Sequence, residues 1–166
     1  RDLMLGLFER SVLAGYRHFL YGATSRVTTQ LAANLQRRFS GLKIVGMYSP
    51  PFRPMTASED DRIVSVIKHA RPDIVWVGLS TPKQEEWMAR HVERLNTVLI
   101  GVGAAFDFLA GTVKQAPRWM QRSGFEWLFR LLMEPKRLWR RYCTVVPLFL
   151  LHTFMQVVGL RKYSID

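Results

Sequence analysis

Residues 73–102, DIVWVGLSTPKQEEWMARHVERLNTVLIGV, decide the fold of this 166-residue chain. Two nearly continuous apolar runs, 73–79 and 97–102, lie at the ends of this stretch and are typical of strands covered on both faces. The polar segment between them opens with hydroxyl residues, a proline and an early acid, which indicates a capped helix start. A strand, a helix and a second strand in this order predict a βαβ unit and a parallel sheet.

The preceding residues repeat this alternation of strand and helix. Residues 17–21 and 43–47 predict two further strands, and periodic apolar positions predict helices around them. Gly15 is placed to stop the first helix. We therefore predict an α/β fold with a Rossmann-like parallel sheet, flanking helices and any ligand site at the carboxyl ends of the strands.

A third helix is expected after the strand at 43–47. Ser58 and Asp61 have the spacing of a capping box, so the helix should begin beside Ser58. Its apolar residues Ile63, Val66 and Ile67 should be buried.

The composition of the chain changes after Gly111. Residues 1–111 carry 14 basic and 10 acidic side chains, whereas residues 112–166 carry 10 basic and 3 acidic ones, out of a total charge of +11. We predict two domains: 1–111 as the α/β core, and 112–166 as a basic, Trp-rich helical appendage. The mostly apolar segment 143–160 contains polar residues, which favours a segment lying at a membrane interface over a membrane span.

Composition also limits the class of protein. A single cysteine, Cys143, excludes a disulfide framework and a Cys-based zinc site. Because 48% of the residues are apolar and 12% aromatic, disorder is not expected. The positive charge requires an anionic partner, and nucleic acid, a membrane surface and a phosphate-bearing substrate all qualify. The chain opens on Arg1 rather than Met, so we expect an N-terminally truncated fragment or a processed chain.

Two turns of the core are candidate ligand sites. Gly22 follows a strand and precedes a helix, where backbone N–H groups can bind a phosphate or a ribose. A plain strand–helix turn explains this turn equally well. At the end of the buried strand 73–79, Gln84 could hydrogen-bond a sugar hydroxyl and Lys83 could offset phosphate charge. The alternative there is an ordinary solvated helix start.

A third candidate lies after the strand at 97–102. Gly101 and Gly103 would let a ligand approach the backbone closely. Asp107 stands between two phenylalanines, and a nucleobase N–H or a ribose hydroxyl would satisfy its carboxylate. The alternative is that Asp107 caps a helix beginning near Phe108.

Three arginines of the appendage, Arg130, Arg137 and Arg140, are spaced so that one helical face could present them all. Guanidinium groups bind a diphosphate through pairs of parallel hydrogen bonds. A solvated basic face is the alternative. His18 is expected in or near the core, and since the other histidines have no partner at ligand spacing, we predict no metal site.

Taken together, these motifs resemble the WecG/TagA/CpsF glycosyltransferases, glycosyltransferase family 26. The resemblance covers most of the chain. It rests on the segments 2–3, 81–85 (TPKQE), 101–111 (GVGAAFDFLAG), 116–120 (APRWM), 124–130 (GFEWLFR) and 134–138 (EPKRL).

The resemblance implies transfer of a sugar from a UDP-sugar to an undecaprenyl-diphosphate-linked acceptor in the synthesis of bacterial cell-surface polysaccharides, exopolysaccharide among them. Such enzymes are inverting hexosyltransferases that need no metal or other cofactor, use a carboxylate base, and work peripherally at the cytoplasmic face of the inner membrane. Members can self-associate, so a homo-oligomer is one expected partner state, and nucleic acid is not an expected partner.

The resemblance also assigns roles to the candidate residues. Gln84 would contact the donor or acceptor sugar, and the appendage would dock on the bilayer. The UDP contacts would be Gly22, Gly101, Gly103 and Asp107, and the acceptor-diphosphate contacts would be Arg130, Arg137 and Arg140.

Two departures from the family pattern matter. The family's proposed catalytic Asp, in an Asp-Gly motif, lies upstream of the segment that begins at Asp2, together with a Thr and an Arg of the site. The loop 50–52 also replaces a glycine–aromatic loop. We therefore expect this chain alone to be inactive or nearly so. Two alternatives stay open: a catalytically incomplete UDP-sugar-binding fragment, and a basic nucleic-acid-binding domain, although the family motifs explain the same arginines.

Overall fold

The computed structural model of the protein describes residues 2–114, 116–133 and 135–157. The chain divides into two compact units, Arg1–Lys114 and Gln115–Asp166. The division lies close to residue 111, where the composition of the sequence changes. Each unit is described by itself below.

The first unit alternates strands and helices. Its elements are α1 (Asp2–Ala14), β1 (Arg17–Gly22), α2 (Ser25–Arg38), β2 (Lys43–Tyr48), α3 (Ala57–Ala70), β3 (Ile74–Gly78), α4 (Lys83–Leu95), β4 (Val98–Gly101) and α5 (Ala105–Ala110). Within the described residues, these strands form one four-stranded parallel sheet in the order β2-β1-β3-β4. The predicted parallel α/β sheet is confirmed.

Helices cover both faces of this sheet. Helices α1, α2 and α5 pack with Leu20 and Trp76 on one face, and α3 and α4 pack with Phe19 and Val75 on the other. Because successive side chains of a strand point to opposite faces, each central strand contributes to both clusters. The result is the three-layer, Rossmann-like arrangement that the uninterrupted apolar runs predicted.

The strand order reverses beside β1. The chain leaves β1 through α2 to reach β2 on one side, then returns through α3 to β3 on the other side. Since α2 and α3 lie on opposite faces, the two crossovers have the same hand, as expected for parallel strands. This reversal fixes where a crevice opens at the carboxyl edge of the sheet.

The start of α3 differs from the prediction. Thr56, not Ser58, caps the helix: its Oγ1 accepts a hydrogen bond from Glu59 N at 3.2 Å, and Glu59 Oε2 accepts one from Thr56 N at 2.8 Å. Arg53 adds a two-fold contact to the Glu59 carboxylate, at 2.6 and 2.8 Å. The Arg53 hydrogen bond, followed by that of Thr56, lowers the pKa of Glu59 to about 2. Thr56–Glu59 and Ser58–Asp61 both have capping-box spacing, and the contact of Arg53 with Glu59 favours the first pair.

The buried face of α3 also differs in one residue. Ile63 and Ile67 are buried as predicted, but Val66 is 48% exposed and Val64 is buried instead. Val66 lines an open groove between α3 and the edge strand β2, together with Met47. An edge strand has no further neighbour to cover such a side chain, so Val66 stays in contact with solvent.

The second unit is helical. It contains α6 (Arg118–Arg122), α7 (Glu126–Met133) and α8 (Pro135–Val157), with Pro147 inside α8. The predicted apolar segment 143–160 is helical as far as Val157, and its last three residues lie outside the described residues. Many apolar side chains of α8 are exposed: Val145, Val146, Leu148, Phe149, Leu150, Leu151 and Phe154. No helix in the described ranges is long and apolar enough to cross a membrane.

Candidate functional site

The reversal of strand order between β1 and β3 makes the carboxyl edge of the sheet the candidate site. In open parallel sheets, the loops that follow two such strands diverge to opposite faces and leave a crevice between them. Here the crevice is bordered by the loop after β1 at 23–24, the loop after β3 at 79–82 and the loop after β4 at 102–104. The predicted site residues of the first unit lie in or next to these loops.

Gly22 ends β1 in a conformation that a side chain would not tolerate. Its φ is +129°, and a Cβ there would lie 2.6 Å from the carbonyl carbon of Gly78 and closer still to its oxygen. The next residue, Ala23, donates its N–H to Gly78 O at 3.0 Å. Gly22 is therefore required by the contact between the two central strands, and its proposed role toward a phosphate stays a prediction.

Gly78 in turn supports α5. A Cβ on Gly78 would lie 2.5 Å from Cδ2 of Phe106, whose ring is fully buried. The bare backbone of β3 thus lets α5 sit directly on the carboxyl end of the sheet. Sequence reasoning missed the role of Phe106, although a glycine at the end of an apolar strand was a signal of close packing.

Gln84 links the loops after β3 and β4. Its side-chain Oε1 accepts a hydrogen bond from Gly103 N at 2.8 Å, and its Nε2 donates to Glu85 Oε1 at 3.3 Å. The amide fills the space above Gly101, where a Cβ would lie 2.8 Å from Cδ of Gln84. The space above Gly101, where a ligand was predicted to approach the backbone, thus holds the Gln84 amide, and the role of Gly103 toward UDP stays a prediction.

The start of α4 lacks the predicted hydroxyl cap. Pro82 takes the N-cap position and makes no side-chain capping bond. Thr81 instead donates its hydroxyl to Glu85 Oε1 at 3.4 Å, on the same oxygen that Gln84 contacts. The exposed Lys83 begins the helix at the rim of the crevice. Amide, hydroxyl, carboxylate and ammonium groups are thus gathered at one edge.

Asp107 lies in the first turn of α5 and is half-buried. The helix begins at Ala105 with Ala104 in the N-cap position, so the alternative that Asp107 caps a helix near Phe108 is wrong. Thr112 Oγ1 lies 3.3 Å from its Oδ1 and 3.1 Å from its backbone oxygen, so the one hydroxyl proton is shared between these two acceptors. The carboxylate thus keeps acceptor capacity for a ligand.

Two neighbouring hydroxyl groups, on the buried Thr28 and the half-buried Ser49, support the crevice from the β2 side. Thr28 Oγ1 donates to Thr24 O at 2.7 Å, so in the 2.7 Å contact between Thr28 Oγ1 and Ser49 Oγ the donor is Ser49, whose other neighbouring acceptor is Gly22 O at 3.4 Å. Thr24 itself caps α2 by accepting from Val27 N. Sequence reasoning missed this pair because polar residues one turn into a helix and just after a strand carry no distinctive pattern.

Stacked aromatic rings support the end of β1 from the other face. The Tyr21 ring lies 4.0 Å from that of Trp87 between ring centroids, and Trp87 lies 4.2 Å from His91. Burial, more than the nearby carboxylate of Asp60, raises the pKa of Tyr21. The residue before Gly22 is therefore a neutral phenol at physiological pH, fixed by stacking.

The remaining predicted residues lie elsewhere. Arg130 belongs to α7, and Arg137 and Arg140 belong to α8, but their side chains lie outside what the structure describes, so their common face stays a prediction. His18 is fully buried in the core, as predicted. Among the described residues, no group of three or more His, Cys, Asp or Glu side chains could hold a metal ion.

Comparison with known proteins gives a consistent result. The model of the glycosyl transferase WecG/TagA/CpsF family matches residues 1–163. A protein of Staphylococcus aureus (strain MW2) named N-acetylglucosaminyldiphosphoundecaprenol N-acetyl-beta-D-mannosaminyltransferase is 34% identical over 133 residues, which cover 80% of this chain and 50% of the relative. A protein of the same name from Bacillus spizizenii is 32% identical over 145 residues, 87% of this chain and 54% of the relative. The chain spans about half the length of these curated relatives.

Proposed function

This chain belongs to the WecG/TagA/CpsF family of glycosyl transferases, and from that premise we propose that it takes part in moving a sugar from a UDP-sugar to an undecaprenyl-diphosphate-linked acceptor. The observation that carries the proposal is the family match along residues 1–163, supported by the names of the relatives. Those names favour an N-acetylmannosamine-type sugar, with another hexose as the alternative. The reaction would belong to the synthesis of a cell-surface polysaccharide.

The UDP-sugar would occupy the crevice between β1 and β3. The half-buried Asp107 carboxylate, beside the Thr112 hydroxyl, would accept a hydrogen bond from the uracil N–H or a ribose hydroxyl. The diphosphate would lie toward the Gly22 turn and the start of α2, where helix N–H groups favour an anion. The Nε2 of Gln84, at the rim of the crevice, would contact the sugar.

The second unit would bind the acceptor lipid. Arg130, Arg137 and Arg140 would hold its diphosphate, because planar guanidinium groups bind phosphate oxygens in pairs. The exposed apolar side chains of α8, such as Phe149 at 65% and Phe154 at 63%, would lie in the interface of the bilayer. The protein would then work peripherally at the cytoplasmic face of the inner membrane.

We propose an inverting reaction without a divalent metal. A carboxylate base would remove the proton from the acceptor hydroxyl, and cationic side chains would stabilise the charge of the leaving UDP. In the family this base is assigned to an Asp-Gly motif, and the 166 residues contain no Asp-Gly pair. The chain alone should therefore bind donor and acceptor but turn over slowly or not at all.

The proposal is tested first by donor binding to the 166-residue chain. Isothermal titration with UDP should give saturable binding that Asp107→Asn weakens about tenfold, the loss expected for a charge-assisted hydrogen bond. Glu93→Gln removes a carboxylate from the exposed face of α4 and should leave the affinity unchanged. An absence of UDP binding, with salt-sensitive binding to DNA instead, would favour the nucleic-acid-binding alternative.

A second test concerns the acceptor and the membrane. In flotation assays, vesicles that contain undecaprenyl diphosphate should retain the protein better than matched anionic vesicles without it. Replacement of Arg137 and Arg140 by Gln should remove that preference. Turnover of UDP-N-acetylmannosamine with an N-acetylglucosaminyl-diphosphoundecaprenol acceptor, followed by mass spectrometry, measures the reaction directly. Efficient turnover by the 166 residues would contradict the expectation of low activity.

A further inference from the structure

Both polar atoms of the Gln84 side-chain amide make hydrogen bonds. Its oxygen accepts from the N–H of Gly103, and its nitrogen faces the carboxylate of Glu85. Gln84 lies in the first turn of α4, and Gly103 lies in the loop that leads to α5. This side chain thus connects the start of α4 with the loop after β4, although the rest of α4 and all of β4 separate them in the sequence.

Two glycines, one ending β4 and one in the loop after it, contact the Gln84 amide. Gly101 has no side chain where the amide of Gln84 lies, since a Cβ would overlap Nε2 and lie 2.8 Å from Cδ. Gly103 has a φ of +49°, a conformation that few other residues adopt at low cost, and its N–H is directed at Gln84 Oε1. Gly101 is therefore matched to Gln84 in shape, and Gly103 through its backbone N–H.

The β4–α5 loop, which Gln84 contacts through Gly103, leads directly into α5. The buried ring of Phe106 packs α5 against Gly78. The hydrogen bond between Gln84 and Gly103 holds the loop that precedes α5. Asp107 follows Phe106 in the first turn of the same short helix. A displacement of the loop would therefore move the Asp107 carboxylate.

We infer that Gln84 is a positioning residue for the nucleotide end of the donor: by holding the β4–α5 loop through Gly103, it sets the position of Asp107. This inference rests on the proposed function, because it assigns Asp107 to the uridine. It extends the role of Gln84 beyond a contact with the sugar. A side chain that touches the sugar alone would not affect the binding of UDP, which carries no sugar, whereas a residue that positions Asp107 would.

The experiment measures the binding of UDP and of a UDP-sugar by titration calorimetry, and amide hydrogen exchange at Gly103 by NMR, in the 166-residue chain. Gln84→Ala should weaken UDP binding about five- to tenfold, the effect of losing one neutral hydrogen bond, and should accelerate exchange at Gly103. The double variant Gln84→Glu with Glu85→Gln keeps an acceptor for the Gly103 N–H without placing two carboxylates together, and should retain slow exchange. Gln36→Ala, at an exposed glutamine of α2, is the matched control and should change neither quantity.

A double-mutant cycle tests the fit between Gln84 and Gly101. Gly101→Ala alone should displace the amide and reproduce the effects of Gln84→Ala, because the new Cβ takes the place of the amide. In the Gln84→Ala background the same substitution should add little, since the nearest remaining atom is the flexible sulfur of Met88. Independent, additive effects of the two substitutions would contradict the inference.

The outcomes separate this inference from the proposed function. If Gln84→Ala leaves exchange at Gly103 unchanged, the hydrogen bond from Gly103 to Gln84 does not hold the loop, and the inference is wrong. If exchange accelerates and UDP-sugar binding falls while UDP binding does not, Gln84 is a sugar contact alone, and the inference is again wrong. If the unsubstituted chain binds neither ligand, the proposed function fails, and with it the assignment of Asp107 on which the inference rests.

Discussion

The backbone of Gly78 occupies the place that a side chain on Gly22 would need. The two residues end neighbouring strands, β1 and β3, and Gly78 O also accepts the N–H of Ala23 at 3.0 Å. The strands therefore meet without side chains at the point where the strand order reverses. This contact forms the floor of the candidate site, because the loops on either side diverge from it.

Gly22→Ala should destabilise the protein strongly. The new Cβ would overlap the Gly78 carbonyl, and alanine would have to adopt a φ of +129°, so we expect the free energy of unfolding to fall by about 3 kcal/mol or more. Urea denaturation followed by circular dichroism measures this loss.

The control for Gly22→Ala is a glycine with open space around it. Gly6 lies inside α1, and a Cβ there would meet no atom within 4 Å. Gly6→Ala should therefore stabilise the protein by about 0.5–1 kcal/mol through helix propensity. Equal effects of the two substitutions would show that the contact between Gly22 and Gly78 is unimportant.

Asp60→Asn should destabilise the pairing of α3 and α4. The Asp60 carboxylate lies 3.0 Å from His91 Nε2 and 2.6 Å from Arg94 Nη1. Burial raises the pKa of Asp60, but the hydrogen bond from Arg94 and the contact with His91 outweigh it and hold the pKa below its ordinary value. Since an amide replaces these charged contacts poorly, we expect a loss of about 1–3 kcal/mol in urea denaturation.

Asp61 offers a matched comparison on the same helix. It also contacts Arg94, at 2.6 Å, but its side chain is 73% exposed. Asp61→Asn should cost less than about 1 kcal/mol, since exposed ion pairs contribute little. A loss as large as that of Asp60→Asn would mean that the partly buried contact to His91 adds nothing.

His18 should make stability depend on pH. The ring is fully buried, and its Nδ1 accepts from Trp76 Nε1 at 3.1 Å, which places the proton on Nε2. Burial lowers the pKa of His18 to about 4, against a smaller opposing effect of Asp73. Because the unfolded chain binds the proton more readily, stability is fully present above pH 6.5 and falls as the pH drops toward 4.

The size of this effect follows from the two pKa values. About 3 kcal/mol should be lost between pH 6.5 and pH 4. His18→Gln keeps an acceptor for Trp76 without a group that titrates there, so the difference in unfolding free energy between the two proteins should shrink across this range. Parallel pH profiles for the two proteins would contradict the prediction.

Local patterns in the sequence were sufficient for the elements of the core. The apolar run at 73–79 became β3, because a strand buried on both faces needs apolar residues at every position. The run at 97–102 became β4, but the prediction that it is covered on both faces is wrong: β4 lies at the edge of the described sheet, and Val98 is 56% exposed. The edge of the sheet that carries the candidate residues followed from the same pattern, since parallel strands place their carboxyl ends together.

Where several local patterns competed, contacts over longer distances decided. Two hydroxyl–acid pairs have capping-box spacing, Thr56 with Glu59 and Ser58 with Asp61. The structure uses the first pair, whose Glu59 is also paired with Arg53. Val66 fits the helical period of its buried neighbours, yet the edge position of β2 leaves it exposed. Neither outcome can be read from helical periodicity, which has no information about neighbouring elements.

The sequence by itself thus determined the α/β class, the strands and the family of this protein, because hydrophobic periodicity, turn residues and motifs are properties of consecutive residues. The tertiary structure decided what the glycines do. Gly22 meets Gly78, Gly78 meets Phe106 and Gly101 meets Gln84, across 17 to 56 residues of chain. Close contacts of this kind arise when separate elements pack together, so they depend on the assembled fold.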